Sequence, residues 1–210
     1  MNKDNHVLVY GTGGLAIEFS SYFSSTVKII GYFSDNKKRP ENIFFNDKKI
    51  FNDLSDALKI TTYCVVAVGD PRSKLYIVQN LISKGFKFPN FIHPSSIVKC
   101  NIANKGIIIS PNCIVGPYVN LSNHIYMNYA VGIGHESKLG NFIQINPGAQ
   151  IGGNCQIGNT ILIGSNSTIR QGLKISDNST ISSGSVVFSN VEKYATMFGN
   201  PAKKINLKYN

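Results

Sequence analysis

From Ile133 to Ile169 the chain reads IGHESK LGNFIQ INPGAQ IGGNCQ IGNTIL IGSNST I, and every sixth residue is Ile or Leu. The register runs in both directions without a break. Steps of six from Ile97 meet Ala103, Ile109, Val115, Leu121, Met127, Ile133, Leu139, Ile145, Ile151, Ile157, Ile163, Ile169, Ile175, Ile181 and Val187. All of these sixteen positions except Ala103 are Ile, Leu, Val or Met. A period of six fits neither the 3.6 of a helix nor the 2 of a strand. It is the pattern of a hexapeptide β-helix, in which each unit is one short strand and a turn.

Three such units make a triangular coil of about eighteen residues, and coils stack at roughly 4.8 Å. The aliphatic side chain of each unit points into the prism. Gly follows it at Gly116, Gly134, Gly140, Gly152, Gly158 and Gly164, where the corner needs positive φ or close backbone approach. Small residues two positions before the aliphatic one (Ser95, Cys113, Ser137, Ala149, Cys155, Ser167, Ser179, Ser185) suit a second inward site. Strict register over ninety residues argues against a β-sandwich, whose loops vary in length.

Residues 1–90 follow another rhythm. Val7–Tyr10, 27–33 and 63–68 read as strands, alternating with helical stretches after Gly14, at 52–59 and at 73–84. This is a small Rossmann-like α/β domain on a parallel sheet. Strand, then Gly11-Thr12-Gly13-Gly14, then helix is a phosphate-cradling order, because glycines admit the ligand and a helix N-terminus favours its charge. A tight helix–strand turn uses the same residues, so the motif alone leaves both readings open. Asp35 follows the second strand, where a ribose-binding acid belongs. Domains are expected at 1–90, 91–190 and 191–210.

Lys and Arg number 21 against 11 Asp and Glu, a net charge of +10. The excess suits anionic ligands. Its scatter, without interleaved aromatics, disfavours nucleic acid. The four cysteines show no metal-ligand spacing, and buried free thiols in a reducing compartment are expected. The apolar run Val7–Tyr10 is too short for a signal peptide, and nothing approaches a membrane span. A soluble cytoplasmic protein is expected.

On a prism filled with aliphatics, chemistry falls to polar residues off the six-register. His135 lies two residues after the inward Ile133, beside Glu136, and an imidazole there can act as a general base. His6 and His124 read as surface residues, and His93 as a packed linker residue. The segment Phe198-Gly199-Asn200-Pro201-Ala202-Lys203-Lys204 follows the end of the register, and its lysines can meet phosphate.

These residues together carry a resemblance. Gly11-Thr12-Gly13-Gly14, Phe91-Ile92-His93-Pro94-Ser95-Ser96, Gly134-His135-Glu136 and Gly199-Asn200-Pro201-Ala202-Lys203, in that order around sixteen hexapeptides, make the chain similar to bacterial hexapeptide-repeat sugar acyltransferases. That family includes nucleotide-amino-sugar N-acetyltransferases and sialic acid O-acetyltransferases. The resemblance implies a left-handed parallel β-helix, a homotrimer with sites between adjacent subunits, acetyl-CoA as co-substrate and no metal. It implies His135 as base beside Glu136, the Gly153 amide and Gln144 at the thioester, and Asn128 near the acceptor sugar. The nucleotide-linked amino sugar would touch Gly11, Gly13, Gly14, Asp35 and Lys37. CoA would meet Gly199, Asn200, Pro201, Ala202 and Lys203. Leu15 and Gln144 stand where many relatives carry histidine, which leaves the sugar and any two-histidine mechanism open. Other readings of the same residues are O-acetylation of a sugar hydroxyl and a non-catalytic binding module.

Overall fold

A computed structural model describes residues 6–35 and 43–205. Contacts divide the chain into two units, Met1–Pro89 and Asn90–Asn210.

The first unit is a parallel four-stranded sheet. Its strands are β1 (His6–Tyr10), β2 (Lys28–Phe33), β3 (Ile50–Phe51) and β4 (Cys64–Val66), in the order β3-β2-β1-β4. The two-residue β3 was not legible in the sequence. Helices α1 (Gly14–Phe23), α2 (Leu54–Leu58) and α3 (Pro71–Ser83) connect the strands. Asp53 and Asp70 cap α2 and α3 by accepting the Ser55 and Ser73 amides. The core is Leu8, Val9, Phe19, Phe45, Val65 and Leu81, with Lys74 buried on the same face of α3 as Pro71, Val78 and Leu81.

The second unit is the prism. Its strands form three stacks of eight, six and four among the described residues, parallel except for the last strand, Lys203–Ile205. Partners are eighteen residues apart: Ile133 pairs with Ile151, Leu139 with Ile157, and Ile145 with Ile163. The inward column from Ile109 to Val187 is buried throughout, with Cys113, Ser137, Cys155, Ser167, Ser179 and Ser185 in the second inward row. Cys113 and Cys155 are free thiols, and burial raises the pKa of both.

Three details depart from the six-register. The first coil is one residue short, since Val98 pairs with Val115, so Ile97 and Ala103 are exposed while Val98 and Ile102 pack on the core. Ser95 is exposed for the same reason. The glycines after the aliphatic residues do not have positive φ. A β-carbon on Gly134 would overlap the Gly153 amide nitrogen, and one on Gly152 would meet Gln171 N at 2.5 Å, so close approach selects them. Positive φ falls instead three residues after the aliphatic position, at Asn112, Tyr118, His124, Ala130, Glu136, Phe142, Asn154, Thr160, Asn166 and Asn178. Lastly, the prism outlasts Val187, because Val191, Ala195 and Met197 remain in its core.

One corner is held by a side-chain ladder. Asn123, Asn141, Asn159 and Asp177 stand eighteen residues apart, each Asn amide donating to the oxygen of the next. Asp177 ends the series as a pure acceptor.

Candidate active site

The strand Gly132–Ile133 belongs to the six-stranded stack and Lys138–Leu139 to the four-stranded one. The corner between them carries His135 and Glu136. Ile133 and Leu139 point inward, and His135 and Glu136 between them are exposed. Glu136 takes a left-handed backbone, φ 59°, and its amide donates to Pro117 O one coil below. Ser137 turns inward and ties this coil to the next: its hydroxyl donates to Gly152 O at 3.0 Å and accepts from Cys155 N at 3.1 Å.

His135 Nδ1 lies 2.8 Å from Glu136 Oε2, with both side chains more than half exposed. With Nδ1–H donating to the carboxylate, Nε2 keeps its lone pair. That Nε2 edge lies over Gly153, where an added β-carbon would stand 2.6 Å from it. Asn154 N donates to His135 O at 2.7 Å and locks the two coils at this point. The Gly153 residue is buried, and its N–H makes no hydrogen bond among the described residues. A buried amide without an acceptor is rare and favours an incoming oxygen.

Gln144 and Asn128 are elsewhere. Gln144 is buried in Ile143–Ile145 of the eight-stranded stack, with Nε2 donating to Asn146 Oδ1 at 3.2 Å. Asn128 is buried just after Tyr126–Met127 of the same stack and accepts the Tyr129 amide at 2.7 Å. Within one prism that stack lies opposite the corner of His135. The two residues join His135 only if different chains supply them. His93 bonds Ser95 through Nδ1, and His124 stacks on Phe142 with centroids 5.0 Å apart. Neither approaches His135.

In the first unit, a β-carbon on Gly11 would clash with Ala67 O, and its φ is +126°. Gly13 and Gly14 are exposed, with open space around both, at the N-terminus of α1. No acidic residue occupies the first turn of α1, and no side chain caps it. Asp35 accepts a hydrogen bond from the Tyr10 hydroxyl across the C-terminal ends of β1 and β2. Burial, reinforced by that carboxylate, pushes the Tyr10 pKa up. Lys37 lies outside the described residues.

The C-terminal segment forms a hairpin, with Thr196–Phe198 antiparallel to Lys203–Ile205. Its turn is pinned to the six-stranded stack: Val186 N donates to Gly199 O at 3.0 Å and Ala202 N to Val186 O at 2.8 Å. Gly199 has φ +100°. Lys203 is exposed, whereas Lys204 pairs with Glu192 at 3.0 Å. No His, Cys, Asp and Glu cluster of metal-binding form occurs among the described residues, and no helix there is long and apolar enough to cross a membrane.

No family profile matches the sequence. Solved structures do. The acetyltransferase domain of PglB from Neisseria gonorrhoeae is 25% identical, with TM-score 0.84 over 96% of this chain and 100% of that one. PerB from Caulobacter crescentus, solved in complex with CoA and GDP-perosamine, is 19% identical with TM-score 0.86 over 96% and 97%. WeeI from Acinetobacter baumannii is 18% identical with TM-score 0.78 over 95% and 99%. The shared fold is a small parallel sheet followed along the chain by a left-handed parallel β-helix. This is the architecture of the hexapeptide-repeat sugar acyltransferases.

Proposed function

We propose that the chain is an acetyl-CoA-dependent sugar acyltransferase, moving an acetyl group to the amine of a nucleotide-linked amino sugar in the cytoplasm, for surface glycan synthesis. The observation that carries the reading is the pair at one corner: a carboxylate-oriented imidazole packed over Gly153, whose amide has no acceptor among the described residues.

The chemistry follows from those two groups. The sugar amine attacks the thioester carbonyl. Nε2 of His135 removes the proton that the amine sheds as the new C–N bond forms, and Glu136 stabilises the resulting imidazolium. The Gly153 N–H donates to the oxyanion of the tetrahedral species. Collapse expels the CoA thiolate. No nucleophilic Ser or Cys is needed, so both substrates bind together. Cys155, whose amide donates to Ser137 at this corner, is buried in the prism, and burial raises its thiol pKa.

The N-terminal unit is read as the nucleotide-sugar site, at the amides of Gly13 and Gly14 and at Asp35. The uncapped N-terminus of α1 supports this. The separation of Gln144 and Asn128 from His135 supports a homotrimer in which an adjacent chain completes the site. Domain roles follow: 1–90 holds nucleotide sugar, 91–190 carries the catalytic corner, and 191–210 meets CoA.

A thiol-release assay with acetyl-CoA against UDP-, GDP- and dTDP-linked amino sugars tests the reading. Turnover with one amino sugar and none with its hydroxyl analogue is expected. Turnover only with hydroxyl sugars would replace N- by O-acetylation, and none with either acceptor class would end the transferase reading. A sedimentation mass of three chains is expected.

A further inference from the structure

We infer that Arg170 is the contact for the diphosphate of the CoA arm, an inference that rests on the proposed transferase. The residue directly after the inward aliphatic at this corner is Gly in three successive coils, Gly116, Gly134 and Gly152, and then Arg170. Each of those glycines has the backbone of the next coil pressed against it; for Gly152 that backbone is Arg170–Gln171 itself. Above Arg170 the corner is shortened. Ile169 and Ile175 are six residues apart, whereas Val187 and Val191, their partners one coil up, are four apart. The two missing residues release the space that forbids a side chain lower down, and the chain places a guanidinium there.

Arg170 is exposed and makes no hydrogen bond or ion pair with a side chain among the described residues. It lines a groove on the six-stranded stack with Gln150, Gly152, Thr168 and Gln171. The lower end of that groove, at Gly152, adjoins Gly153 and the His135 imidazole. Its upper end leads to Val186, which carries the Gly199–Ala202 turn. Arg170 stands two coils above Gly134, about 10 Å along the axis. A ligand whose acyl end reaches His135 and whose other end meets the C-terminal turn must pass this guanidinium. A planar fork of donors matches a phosphate better than an ammonium does.

The four-stranded face offers a second groove with Lys138, Lys174 and Lys193. It touches neither Gly152 nor the C-terminal turn, and Lys193 lies 3.7 Å from Asp177. The six-stranded side is therefore the path that joins the two ends.

The test is calorimetric binding of CoA, 3′-dephospho-CoA and pantetheine to the full chain and to Arg170→Ala, with thermal melting to verify folding. Loss of a charge-assisted contact is expected to weaken CoA and 3′-dephospho-CoA alike, by about tenfold, and to leave pantetheine unchanged. Arg170→Lys should recover part of the loss. Equal weakening of all three ligands, or of none, overturns the inference. An effect confined to CoA also overturns it, because the 3′-phosphate would then be the group held. CoA binding without acetyl transfer to any sugar would remove the transferase reading while leaving the Arg170 contact standing; absence of CoA binding removes both.

Discussion

The Nε2 edge of His135 rests on the bare Cα of Gly153, eighteen residues and one coil away, with no room for a methyl group between them. The proposed base and the proposed oxyanion donor are thus set by one contact. In Gly153→Ala the ring has to swing off its Glu136 bond. The expected result is a fall in kcat of at least about a hundredfold, the scale of losing a positioned base, with the melting temperature nearly kept, since the moving atoms are exposed. Unchanged kcat would mean that the ring position does not matter.

His135→Ala removes the proposed base outright and should cost about 10²–10⁴ in kcat. Glu136→Gln should cost less, because it keeps an acceptor for Nδ1–H but not the charge that stabilises the imidazolium. Steady-state kinetics order the three. Near-normal turnover by His135→Ala would leave the corner without its assigned role.

Lys74 supplies a pH signature. Burial holds its pKa down at about 7, and the attraction of Asp70 only partly offsets this. In the unfolded chain lysine titrates near 10.4, so between about 7 and 10 the unfolded state binds the extra proton and stability rises with pH. The buried thiol of Cys64, whose pKa burial raises, acts in the opposite direction at higher pH. The clean window is therefore pH 7 to 8, where denaturant titration of the wild type should gain about 1 kcal/mol. Lys74→Met should show no gain. A parallel rise in both proteins would place the effect elsewhere.

Asn141 accepts from Asn123 N at 3.0 Å and Nδ2 at 3.1 Å, and donates through its own N and Nδ2 to Asn159 Oδ1. Truncation in Asn141→Ala strands the Asn123 donors and should destabilise by about 2 kcal/mol. The melting temperature should fall while CoA binding holds, since the ladder corner is not the His135 corner.

Ala130 is exposed at φ 58°, a left-handed backbone that costs an L-residue about 1–2 kcal/mol. Ala130→Gly relieves that cost against some added entropy of the unfolded chain, so a net gain of about 0.5–1 kcal/mol is expected. Gly148→Ala, one coil up at φ +71°, should lose stability. A loss in both would contradict the backbone argument.

Much of the site is legible once the six-register is read. Ile133 fixes where His135 emerges, and Ser137 sits on the small inward row, although its bonds to Gly152 and Cys155 are not readable from spacing. The burial of Lys74 has a signal in the sequence: Pro71, Lys74, Val78 and Leu81 share one helical face. The short first coil had none, because Ile97 fits the period while Val98, its neighbour, is equally aliphatic. The same ambiguity hides the positive-φ column, whose members range from Asn to Phe142 and Tyr118.

The sequence by itself determined the rod. An inward aliphatic every six residues is a one-dimensional code, and each unit needs only its neighbours to bury it. Tertiary structure decided which groups meet at one corner, because stacking brings together residues eighteen apart whose local sequences carry no mark of each other. It also separated His135 from Gln144, nine residues away but half a coil round the prism, since half a turn of a triangle carries a corner to the opposite face.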